Sequence, residues 1–199
     1  NEGVTFFSQS DTEVLLKMYI RYGPECLTYF NGCFALAIYD RDEHRLFVAR
    51  DRLGIKPLLY YHDENTFVFA SELRAIVRWG IPCEPDPAAL AVYFQLNYIP
   101  APLSPLKNTA KVMPGQYLTV TRKGIEKHTY WVVPVNDRQL SRETAIKDFQ
   151  QLLEASVRRR LIADVPLGTF LSGGIDSAII TGIAARMKND LQTFTVSFP

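Results

Sequence analysis

The most constraining stretch of the chain lies near its end. There an apolar run at 168–171 meets Ser172-Gly173-Gly174-Ile175-Asp176-Ser177, followed by a helical stretch with Ile179, Ile180, Ile183 and Met187 and a second apolar run at 192–198. Two buried strands joined through a helix lie parallel, and the crossover between them is right-handed. The spacing predicts a β-loop-α-β unit with strands at 168–171 and 192–198, a loop at 172–177 and a helix at 178–188. Ahead of it, Ile146, Phe149, Leu153, Val157 and Leu161 recur at helical spacing, with Arg142, Lys147, Glu154 and Arg158 off that stripe. An amphipathic helix is expected from Ser141. Residues 141–199 therefore read as the start of an α/β domain with a parallel sheet.

The first 133 residues carry another pattern. Ser10-Asp11-Thr12-Glu13 is a capping-box start, Leu15, Met18, Tyr19 and Tyr22 follow at helical spacing, and Gly23-Pro24 ends the helix. Runs at 33–39 and 45–50 around a polar turn predict an antiparallel hairpin, and runs at 57–61 and 66–70 extend it into a meander. A short helix is expected toward Trp79, and Asp86-Pro87 caps a further one at 88–98. A last hairpin joins 116–121 to 125–131 around Arg122-Lys123-Gly124. Residues 134–140 are polar and aperiodic, so the chain divides into a domain at 1–133, a linker at 134–140 and a domain at 141–199.

Composition narrows the function. Lys and Arg total 22 against 21 Asp and Glu in 199 residues, a balance that argues against nucleic-acid binding through a broad basic face. No apolar run approaches the ~20 residues of a membrane span. The expectation is a cytoplasmic protein without membrane association. Cys26, Cys33 and Cys83 have no metal-type spacing and read as reduced, buried, apolar side chains; His44, His62 and His128 read as solvated turn or strand positions.

The loop at 172–177 is where chemistry is expected. A glycine pair between a strand and a helix start aims backbone N–H groups one way, Ser172 and Ser177 add hydroxyl donors, and the helix dipole favours an anion. Asp176 would repel a bare phosphate and suits a divalent cation shared with phosphates. The competing reading is a tight turn with Asp176 and Ser177 as caps.

This loop resembles the SGGxDS pyrophosphate loop of the ATP pyrophosphatases. Asn31-Gly32-Cys33-Phe34-Ala35-Leu36-Ala37-Ile38-Tyr39-Asp40, Arg50-Asp51-Arg52-Leu53-Gly54-Ile55-Lys56-Pro57-Leu58-Leu59-Tyr60, Ala70-Ser71-Glu72 and Met113-Pro114-Gly115, with Ser10-Asp11-Thr12-Glu13, are similar to class II glutamine amidotransferase domains. Together they resemble the glutamine-hydrolysing asparagine synthetase family. The resemblance implies an α+β N-terminal-nucleophile-type αββα sandwich, partial here, followed by the start of the ATP-pyrophosphatase domain. It implies glutamine nitrogen transferred to an adenylated aspartate, with ATP and Mg²⁺, giving asparagine, AMP and pyrophosphate in a homodimer. Relatives that act on another carboxylate, and an inactive nucleotide-binding or interaction piece, are the alternatives.

Carried over, Asp11 matches the residue that binds the glutamine α-amino group, and a carboxylate suits an ammonium. Ser172, Gly173, Gly174, Asp176 and Ser177 match the ATP-binding loop, Phe170 the position whose backbone meets adenine, and Asp176 a Mg²⁺ ligand. Arg50, Asp51, Gly54 and Pro57 read as an Arg-Asp pair and a turn that fix a strand connection; Lys56 and Glu72 have no assigned chemistry. Arg158 and Arg159 read as solvated, and Ala178 stands where many relatives carry a second Ser. The family's first-residue Cys is not at Asn1, and its NGEIYN-like segment is not in the sequence, so the chain is expected to be an internal piece of a longer enzyme that does not hydrolyse glutamine alone.

Overall fold

The computed structural model describes residues 4–135 and 139–197, so the expectations at Asn1, at 136–138 in the linker and at the end of the last strand lie outside the described residues. The chain divides into two compact units, Asn1–Pro134 and Val135–Pro199.

In the first unit, helix α1 (Asp11–Tyr22) runs into a 3-10 turn at Gly23–Thr28. Strands β1 (Ala35–Asp40), β2 (Arg45–Arg50), β3 (Leu59–His62) and β4 (Phe67–Ala70) follow. Helices α2 (Leu73–Trp79) and α3 (Pro87–Leu96) come next, then β5 (Thr109–Lys111), β6 (Gln116–Thr121) and β7 (Gly124–Thr129). Helix α3 ends two residues short of the expected Tyr98, because Asn97 takes a left-handed conformation and closes it.

The expected meander does not form. The strands make two antiparallel sheets of order β1-β2-β6-β7 and β4-β3-β5, and the place beside β2 belongs to β6, with Val48 opposite Leu118. Burial explains the split. Val48 and Leu118 from one sheet share a core with Leu58, Tyr60 and Val112 from the β3–β5 side, so the sheets stack face to face. On the outer face of the larger sheet, Tyr19, Cys26 and Leu27 cover Leu36, Ile38 and Phe47. On the outer face of the smaller, Ile76 of α2 packs with Leu59 and Tyr61. The layers are thus helix, sheet, sheet, helix, the αββα sandwich that the motifs implied.

In the second unit, α4 (Arg142–Arg160) is capped by Ser141, whose hydroxyl accepts the Thr144 N–H. Strand β8 (Gly168–Phe170) leads into α5 (Ile175–Met187), and β9 (Gln192–Phe194) returns parallel to β8, with Gly168 opposite Gln192. A Cβ at Gly168 would lie 2.5 Å from the Phe194 ring, so a side chain there would displace that ring. Only the C-terminal half of the α4 stripe is buried: Val157 packs with Ile183 and Ala184, flanked by Leu153 and Leu161, whereas Ile146 and Phe149 are exposed. Ala178 and Gly182 on α5 are too small to fill the space opposite, leaving an open groove of about 870 Å³. No described helix is long and apolar enough to cross a membrane.

Candidate active site

The first unit carries a cleft of about 750 Å³ lined by the start of α1 and by the segment leading into β1. Asp11 is the first residue of α1 and lies exposed on that cleft, with its carboxylate accepting the Thr12 hydroxyl at 3.4 Å. Ser10 caps the helix by accepting the Thr12 N–H at 3.2 Å. The capping box is not closed by Glu13 in the expected way: the Ser8 hydroxyl takes the Ser10 N–H, and Glu13 reaches Ser8 instead. Glu13 accepts the N–H groups of Phe7 and Ser8 and pairs with Lys17 at 2.7 Å. These bonds hold its carboxyl down at a pKa of about 2.

Lys56, Pro57, Ser71 and Cys33 share the cleft with Asp11. None of the four stood out in the sequence as lining a site. Lys56 is placed by the loop after β2, where Arg50 and Asp51 do not pair with each other as expected but hold backbone separately. Asp51, only 1% exposed, accepts the N–H groups of Leu53, Ile55 and Lys56 at 3.1, 3.0 and 2.9 Å. Arg50 donates to the carbonyls of Lys56, Val112 and Gly54 at 2.8, 2.6 and 2.7 Å. The sharp turn needs Gly54 at φ +64°, where a Cβ would meet the Pro114 ring at 2.8 Å. Tyr130 closes the base by donating to the Arg50 carbonyl, and burial pushes its hydroxyl up to about 12. Glu72 is the N-cap residue of α2, and its side chain makes no capping bond.

Of the thiols, only Cys26 is buried as expected; burial pushes it up to about 11. Cys33 and Cys83 are exposed, because both stand on connecting segments outside the strands and helices.

In the second unit, Ser172, Gly173, Gly174, Asp176 and Ser177 gather where β8 meets α5. The helix starts at Ile175, three residues earlier than expected, because Gly174 is extended (φ −79°, ψ 157°) and helical backbone begins as soon as the glycines end. Asp176 and Ser177 thus lie in the first helical turn. No side chain caps this helix, so its first N–H groups are left for a ligand or solvent. Gly173 has φ +81°, a conformation L residues rarely adopt. The hydroxyls of Ser172 and Ser177 stand 3.1 Å apart, and a Cβ on Gly174 would project to 3.6 and 3.9 Å from them. That cradle fits phosphate oxygens. The Asp176 carboxylate is exposed beside it, and no cluster of three His, Cys, Asp or Glu is present among the described residues. A cation here would need phosphate oxygens or water to complete its shell. Phe170 is 80% exposed at the end of β8, with its ring 6.3 Å from that of Phe194. Arg158 and Arg159 are exposed at the end of α4.

The two units match two known domain types in order. A family model described as glutamine amidotransferase domain matches residues 1–131, and one described as asparagine synthase matches 148–199. Asparagine synthetase [glutamine-hydrolyzing] 3 of Bacillus subtilis is 36% identical, over 98% of this chain and 33% of its own length. Asparagine synthetase [glutamine-hydrolyzing] 1 of the same organism is 36% identical, over 99% and 31%. A solved glutamine phosphoribosylpyrophosphate amidotransferase from B. subtilis is 19% identical, with a TM-score of 0.48 over 98% of this chain and 41% of that one. The match over residues 1–131 puts the first unit in the glutamine amidotransferase class. The chain belongs to the glutamine-hydrolysing asparagine synthetase family, and it spans about a third of the length of the two curated relatives.

Proposed function

We propose that the full-length protein takes the amide nitrogen of glutamine and joins it to an ATP-activated aspartate, releasing asparagine, AMP and pyrophosphate. The observation that carries this reading is the pairing, in one chain, of an amidotransferase sandwich with an uncapped Ser-Gly-Gly helix start. In it, the Asp11 carboxylate pairs with the α-ammonium of glutamine at the cleft of the first unit. Ser172, Gly173, Gly174 and Ser177 hold ATP phosphates by hydroxyl and backbone N–H donors, with the helix dipole adding to the attraction. The Phe170 backbone meets the adenine. Asp176 would hold Mg²⁺, whose charge would offset that of the pyrophosphate as it leaves.

Residues 1–133 and 141–199 form the two domains in this reading, and the whole enzyme works as a cytoplasmic homodimer. The test supplies amide-¹⁵N glutamine, Mg·ATP and aspartate to the full-length gene product and follows ¹⁵N by NMR. Label in the asparagine side-chain amide supports the reading. Label in ammonia alone, or in the amide of a different acceptor when aspartate is replaced, contradicts it.

A further inference from the structure

We infer that Glu13 is a positioning residue for Asp11, acting through a relay of hydrogen bonds that fixes the turn ahead of α1. The inference rests on the reading that Asp11 holds the glutamine ammonium. Residues 5–10 have no regular helix or strand to fix them, yet they lead directly into the first residue on the cleft. Glu13 closes that segment against the helix. Its carboxylate accepts the Phe7 N–H at 2.9 Å, the Ser8 N–H at 2.6 Å and the Ser8 hydroxyl at 2.6 Å.

The relay then runs forward. The Ser8 oxygen accepts the Ser10 N–H at 3.2 Å, and the Ser10 oxygen accepts the Thr12 N–H at 3.2 Å. Asp11 lies inside the last link, between Ser10 and Thr12. Lys17 braces the same turn: it pairs with Glu13, donates to the Thr5 carbonyl and sits 4.8 Å from the ring centroids of both Phe6 and Phe7. An ordinary capping box would have used Glu13 on the Ser10 N–H; here the carboxylate reaches two and three residues further back, to Ser8 and Phe7, and the backbone on both sides of Asp11 is held. A carboxylate that must meet an ammonium gains from being held in place before the substrate arrives.

Glu13→Gln keeps the size but turns an NH₂ toward backbone donors and removes the charge facing Lys17. Steady-state glutamine hydrolysis by the full-length gene product is measured for Glu13→Gln, Asp11→Asn, the double variant, and Ser8→Ala, which cuts the relay with a smaller change. Glu13→Gln is expected to raise KM for glutamine about tenfold, with kcat within about twofold, and Ser8→Ala to raise KM about threefold. In the Asp11→Asn background, Glu13→Gln is expected to add less than about twofold, since its effect passes through Asp11. A full tenfold addition in that background overturns the inference, as does wild-type KM in both Glu13→Gln and Ser8→Ala while Asp11→Asn raises it. Wild-type KM in Asp11→Asn instead overturns the reading of Asp11 itself, and the inference with it.

Discussion

Replacing Asp51 by Ala tests whether the loop that delivers Lys56 to the cleft is held by one buried carboxylate. The side chain is 1% exposed and accepts three backbone N–H groups, from Leu53, Ile55 and Lys56. A donor deprived of its acceptor costs about 1–3 kcal/mol, toward the lower end where water can reach it. Leu53, Ile55 and Lys56 are themselves exposed, so about 1 kcal/mol for each is the appropriate figure, or about 3 kcal/mol for local opening of the loop. That corresponds to roughly 100-fold faster amide exchange at these positions. Asp51→Asn should fall between Ala and wild type, since one oxygen remains while the new NH₂ confronts a donor. Hydrogen exchange read by mass spectrometry on peptides covering 52–57 of the full-length gene product measures both. Unchanged exchange in Asp51→Ala, with the protein folded, would refute the account of the loop.

Gly173→Ala should leave the fold intact, because a Cβ there meets nothing within 4 Å, but its φ of +81° strains any L residue. Mg·ATP affinity by calorimetry is expected to weaken about tenfold, and wild-type affinity would contradict the cradle. Cys33 and Cys83 should react with iodoacetamide in the native protein while Cys26 reacts only after denaturation, as peptide mass spectrometry would show. Saturating glutamine should slow Cys33 and leave Cys83 unchanged; equal protection of both would count against glutamine in the cleft. The Glu13 carboxyl is held from its ordinary 4.5 down to about 2, so its stabilising bonds are fully present above about pH 4.5 and are lost as pH falls toward 2. The Tm difference between wild type and Glu13→Gln should therefore be constant from pH 5 to 7 and shrink below about 4.5; a difference that grows on acidification would reverse the sign of the argument.

Local signals carried well where local chemistry decides. β2 and β6 occupy 45–50 and 116–121, the bounds that their runs and the polar turns beside them predict, and Ser10, Asp86 and Ser141 cap their helices. Pairing between distant segments was not legible. The separation of β3 from β2 follows from which faces bury Val48, Leu118 and Tyr60 together, a property no single window contains. β5 is three residues long, and its partner β3 lies far away in sequence, so it left no periodic trace. Asp11 carried a role through its motif, whereas Lys56 and Ser71 stood in motif segments without one, and only folding brings their loops to the same cleft. Arg50 and Asp51 read as a pair because they are adjacent and opposite in charge. The geometry instead turns each toward backbone groups, since consecutive residues at a strand end point to opposite sides.

In the proposed reaction ATP activates the aspartate side-chain carboxylate as an adenylate, and glutamine nitrogen then displaces AMP. Aspartate labelled with ¹⁸O in its side-chain carboxylate, supplied with glutamine and Mg·ATP to the full-length gene product, tests it most directly. One ¹⁸O is expected in the phosphate of the AMP formed and none in pyrophosphate, read from the isotope shift in ³¹P NMR. Unlabelled AMP, or ADP and orthophosphate as the products, would contradict it.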